Sequence, residues 1–305
     1  MLDLLETLND PTFRTVFMGT AAIGAVSGAL GCFAYLRKQS LIGDVISHSS
    51  LFGVMLFFII SYLVTGQGSK SLFLLIPGAI FAGFLSLWLT NWLVHNTRVR
   101  EDSGLGVMLA IFFGSGIFML RWVQSAKPVI PGRRGLEDYI FGMAAAMTRS
   151  DLIMIAIVGA GSILMMLLFW KQLKAYTFDP IFCQSLGYRF RWLDALLIVL
   201  LVNGIVIGIQ CIGVVLMIAM MVTPGASARQ WTRSLGGMVL LASIFGAMSG
   251  AAGSLASSLW SDVPTGPSIV LAGIAIFVVS VLFAPERGVI TGGINREGNI
   301  EEQTA

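Results

Sequence analysis

Residues 196–223 carry no charged side chain. An α-helix needs about 20 mostly apolar residues to cross the hydrocarbon core of a bilayer. In lipid, only a helix or a closed barrel satisfies the backbone of such a stretch. Asn203 and Gln210 are its polar members, and Gly204, Gly208 and Gly213 loosen it. It reads as one long tilted helix or as two short ones. Arg189 and Arg191 precede it, and Arg229 and Arg233 follow it. Arginine marks the cytoplasmic side, so an even number of crossings between these pairs favours two helices, with Pro224-Gly225-Ala226 ending the segment.

Further long apolar stretches occupy about 13–36, 40–64, 72–94, 104–120, 152–170, 235–259 and 269–282. Hydrophobic residues make up 56% of the 305 and charged residues 11%, where soluble domains carry roughly 25% charged. The expected fold is an all-α polytopic membrane protein with eight or nine transmembrane helices. A surface segment at 1–12, one domain at 13–284 and a polar tail at 285–305 complete the expected organisation. Arg37-Lys38 ends the first span and places that end inside. The 124–151 connection, with Pro128, Pro131, Arg133 and Arg134, then falls outside despite its basic character. Asp262 in the last turn reads as a structural cap.

Several function classes drop out. The net charge is only +3 and no basic stripe is interleaved with aromatics, so nucleic acid is not an expected partner. Cys32, Cys183 and Cys211 are scattered, with no CxxC pair. There is no GxxxxGK[ST] loop, no GxSxG and no HExxH. No enzymatic activity and no permanently bound cofactor are expected from these motifs.

Two elements carry chemistry. In Ser40-Leu41-Ile42-Gly43-Asp44-Val45-Ile46-Ser47-His48, Asp44 and His48 are four apart and share a helix face. A carboxylate and an imidazole there fit one divalent cation. They equally fit a structural pair, with Asp44 in the first helical turn, where negative charge suits the dipole. The second element is the basic 171–192 connection. Asp179 reads as an N-cap, Pro180 as a first-turn residue and Gly187 as a stop. Together they predict a short helix across the cytoplasmic face, with Ile181, Phe182 and Leu186 as its apolar residues.

The segment from Arg37 to His48 resembles the signature of the metal-type ABC permeases (the ABC-3 type), the membrane subunits of manganese, zinc and iron importers. Phe52 precedes Gly53 where that family often has proline. Thr177-Phe178-Asp179-Pro180 followed by Ser185-Leu186-Gly187 resembles the family's coupling helix. Gln210-Cys211-Ile212-Gly213 and Thr223-Pro224-Gly225-Ala226 resemble its late segment. The resemblance implies metal ligands at Asp44 and His48. It implies an ATPase-docking helix of Asp179, Pro180, Ile181, Phe182, Gln184, Ser185, Leu186 and Gly187. It also implies ATP-binding cassette ATPase subunits, where ATP is hydrolysed, a second permease subunit, identical or homologous, and an extracytoplasmic metal-binding protein. The cargo would be Mn, Zn or Fe, and the location the bacterial inner membrane. The rival is a gradient-driven secondary transporter or channel, which needs no coupling helix.

Overall fold

The computed structural model describes residues 10–290, except 38–39, 67, 69–71, 128, 134, 137–141, 143, 145–146, 180–182, 184, 186, 188–189, 261–262 and 286–287. Among the described residues there are helices and no strands. In chain order they are α1 (Pro11–Leu36), α2 (Ser40–Thr65), α3 (Leu72–Asn96), α4 (Glu101–Ser125) and α5 (Arg149–Leu168). They continue with α6 (Trp170–Phe178), α7 (Phe190–Ile212), α8 (Val214–Trp231), α9 (Leu235–Leu259) and α10 (Thr265–Phe283). Eight of these, all but α6 and α8, are long and apolar enough to cross a membrane.

Local chemistry sets the ends. Asp10 caps α1 by accepting from the Thr12 N–H at 2.9 Å. Thr148 and Asp151 form a reciprocal capping box on α5. Phe169, with φ −100° and ψ 20°, ends α5 and starts α6, so the expected span to 170 stops two residues early.

The 196–223 stretch divides at Gly213, whose φ of 91° and ψ of 159° belong to a region only glycine occupies readily. Pro224 does not end α8, as its sequence suggested. The helix runs on to Trp231. A proline leaves the carbonyl four residues back without its helical donor. The Met220 carbonyl lies 3.4 Å from the Ser27 hydroxyl of α1, whose single proton is held more closely by the Ile23 carbonyl at 2.7 Å.

α1 lies at the centre, packed by α5, α7, α8 and α9, while α2, α3 and α4 form a second group. A β-carbon on Gly24 would stand 2.1 Å from the Gly246 carbonyl oxygen, so α1 and α9 touch backbone to backbone as small residues permit. Several buried hydroxyls find partners within the bundle: Thr20 reaches the carbonyls of Val16 and Gly250, and Ser86 donates to Ser49 across α2 and α3 at 3.1 Å. The 124–151 connection covers one end. Ile130, Leu136 and Ala144 are buried, and Gly142 lies against Ile212 and Gly213.

Candidate functional site

α2 positions the first candidate pair. The helix has no internal proline, and Val45, Ile46, Leu51, Met55 and Phe58 bury its inner face. It runs unbroken through Phe52 and Gly53. Because α2 begins at Ser40, Asp44 falls beyond the first turn. The expected dipole contribution at the first turn is therefore corrected, since such effects fade within that turn.

Asp44 and His48 stand together on one face. The His48 Nε2 is 3.7 Å from the Asp44 Oδ1, and the two side chains are 14% and 30% exposed respectively. The His48 ring meets Phe113 of α4 edge-on, with centroids 4.5 Å apart. Phe52 meets Phe112 at 5.3 Å in the same manner, so two aromatic pairs hold α2 to α4. On a neighbouring side, a β-carbon on Gly43 would lie 3.3 Å from the Met221 sulfur of α8. The glycine beside Asp44 thus lets α8 approach closely.

Two polar atoms here are orphans among the described residues. The His48 Nδ1 and the Ser47 hydroxyl are buried without a hydrogen-bond partner. Buried polar atoms are normally paired. Among the described residues, no third His, Cys, Asp or Glu joins Asp44 and His48.

The second candidate element lies partly outside the described residues, namely at Pro180, Ile181, Phe182, Gln184 and Leu186. Cys183 and Ser185 are helical, Ser185 is exposed, and Gly187 has φ 81°, the conformation of a helix stop. Asp179 has a different role from the expected N-cap alone. It terminates α6, its N–H bonding to the Ala175 carbonyl, and its own carbonyl accepts from the Cys183 N–H at 3.1 Å. The charged 171–178 stretch, read as loop, is helical.

Sequence reasoning missed the groups behind this element. Tyr176 donates its hydroxyl to the Asp194 Oδ1 at 2.6 Å, and Arg37 pairs with the same oxygen at 3.1 Å. Burial, and then the bond to Asp194, push the Tyr176 phenol above the usual tyrosine range. Burial, and then the Asp179 charge, push the Cys183 thiol up. Arg37 offered only a topology signal, and nothing in the sequence links it to residues so distant.

A multi-pass helical bundle with a carboxylate and an imidazole paired inside one span has the architecture of a membrane transport subunit. The ABC 3 transport family matches residues 9–284. The chain is 41% identical over 287 residues to the manganese transport system membrane protein MntC of Bacillus subtilis, covering 94% of this chain but 64% of that relative's length. It is 37% identical to the zinc transport system membrane protein TroC of Treponema pallidum, covering 94% of both chains. It superposes on a chain of the solved structure of PsaBC from Streptococcus pneumoniae in complex with Fab. The TM-score is 0.81 at 31% identity, covering 94% of this chain and 98% of that one. The chain belongs to the ABC 3 transport family. It is a permease-type subunit, a multi-pass protein of the plasma membrane.

Proposed function

We propose that this chain is the permease of an ATP-driven importer of a divalent transition metal ion, manganese, zinc or iron, and that Asp44 and His48 hold the ion during passage. The observation that carries the reading is the facing of Asp44 and His48 inside α2, in a chain whose relatives are named for manganese and zinc transport. One carboxylate oxygen and one imidazole nitrogen suit all three metals. Two protein ligands leave most of the shell to water or backbone, which suits an ion that must leave as readily as it arrives.

In this reading the chain works by alternating access. Two permease subunits enclose the path, and a metal-binding protein delivers the ion from outside. Residues 179–187 dock on ATPase subunits inside, and their closure on ATP moves the helices around α2. Asp44 neutralises part of the cation's charge in the membrane, where an uncompensated ion is costly. His48, steadied by Phe113, supplies the nitrogen.

Metal-limited growth and isotope uptake test the proposal. Asp44→Ala and His48→Ala are expected to abolish uptake while the assembly with its ATPase is retained. Wild-type uptake in either variant would remove the site. Wild-type uptake with ATP hydrolysis abolished would favour a gradient-driven carrier instead.

A further inference from the structure

At the end of the bundle that carries Arg37, three elements meet through three side chains. Arg37 caps α1, and its Nη1 donates to the Asp194 Oδ1 of α7 at 3.1 Å. The Tyr176 hydroxyl of α6 donates to that same oxygen at 2.6 Å. The Arg37 guanidinium carbon lies 4.3 Å from the centre of the Tyr176 ring. One carboxylate oxygen thus ties α1, α6 and α7, and a cation–π contact closes the triangle. The Arg37 and Asp194 side chains are 13% and 28% exposed, and both bonds are charge-assisted, stronger than neutral ones.

A small apolar cluster adjoins this triangle. Tyr176, Cys183 and Leu193 make a small buried cluster apart from the main core. Cys183 belongs to the 179–187 segment, and its N–H bonds back to the Asp179 carbonyl. Apolar contact therefore joins that segment to the end of α6 and the start of α7. Arg37 ends α1 and directly precedes the link into α2, whose second turn carries Asp44. α6 and α7 also enter the main core, through Leu173, Leu196 and Leu197. The three polar side chains therefore add a directional tie between α1 and the two helices that flank the 179–187 segment.

We propose that Arg37, Tyr176 and Asp194 form a transmission clamp, through which a displacement of 179–187 by a cytoplasmic partner reaches the start of α2. The inference rests on the reading of 179–187 as a docking element. All three are positioning residues and touch no ion.

The test uses the whole transporter, with its ATPase subunits, in liposomes, with Mn²⁺ as the probe. The quantity measured is metal taken up per ATP hydrolysed. Tyr176→Phe removes one hydroxyl and keeps the ring, while Asp194→Asn removes the charge. Both are expected to assemble normally and to hydrolyse ATP at basal rates within about twofold of wild type. Uptake per ATP should fall about fivefold in Tyr176→Phe and about tenfold in Asp194→Asn, as the loss of bonds to a charged group implies. Asp194→Glu should recover part of it.

An unchanged ratio in a normally assembled Tyr176→Phe overturns the clamp. So does a loss of assembly that lowers uptake and hydrolysis together, since that assigns a structural role only. Ser185→Arg, on the exposed side of the docking element, separates the two readings. Failure of the docking reading leaves Ser185→Arg fully coupled. Failure of the clamp alone leaves Ser185→Arg uncoupled and Tyr176→Phe normal.

Discussion

The Nε2 of His48 and the Oδ1 of Asp44 are 3.7 Å apart on α2. That is too long for a good hydrogen bond. Two ligand atoms at about 2.0–2.2 Å from one ion are about 3–4 Å apart over ordinary bond angles. The proposed sharing of one cation needs no larger separation than this, and Phe113 packs against the ring.

Phe113→Ala removes that edge contact without touching either candidate ligand. An aromatic contact of about 0.5–1.5 kcal/mol corresponds to a rise in the KM for metal uptake of roughly twofold to tenfold. Isotope uptake at graded metal concentration checks it, and an unchanged KM would show that the ring needs no such support.

Gly24→Val places a side chain where the Gly246 backbone already lies. Overpacking of this kind costs about 1–3 kcal/mol, read as a lowered unfolding temperature and yield in detergent. Gly114→Ala on α4 enters open space and is expected to leave both unchanged.

Gly213→Ala forces an L side chain into the φ 91°, ψ 159° conformation at the α7–α8 break. The expected cost is about 1–3 kcal/mol, with Gly161→Ala, which enters open space inside α5, as the comparison. Thermal unfolding of the purified chain measures it. An unaffected Gly213→Ala would contradict the break.

The Tyr176 phenol is raised by burial and by its bond to Asp194. A group raised in the folded state contributes stability that is fully present below its unfolded pKa, about 10 for tyrosine. That contribution is lost only as pH rises through the higher folded value. The clamp therefore holds through neutral and mildly alkaline pH. In the wild-type minus Tyr176→Phe ultraviolet difference, no phenolate should appear while ordinary tyrosines ionise. A phenolate in the ordinary range would contradict the buried donor.

Much of the fold was legible in hydropathy, because a span has to satisfy lipid along its whole length. The charge pattern favoured a break in the longest uncharged run, but Gly213 was one of three glycines there, and only the structure selects it. Asp44 and His48 could be paired because helical spacing is local. Pro224 misled because a proline can sit inside a helix that packing holds together, and α8 runs through it to Trp231. Asp179 misled in part because α6 is only nine residues long, and its short stripe of Trp170, Leu173, Tyr176 and Thr177 is interrupted by Lys171 and Lys174. Arg37 and Asp194 are 157 positions apart, and only the fold brings them together.

Equilibrium binding of Mn²⁺ to the detergent-solubilised transporter, compared across wild type, Asp44→Ala, His48→Ala and the double variant, tests the central claim most directly. Each single variant is expected to weaken binding at least about a hundredfold, beyond the roughly 1.4 kcal/mol per tenfold of a minor contact. The double variant should be little worse than either, because the two residues share one ion. Wild-type affinity in either single variant, with the assembly intact, would contradict it.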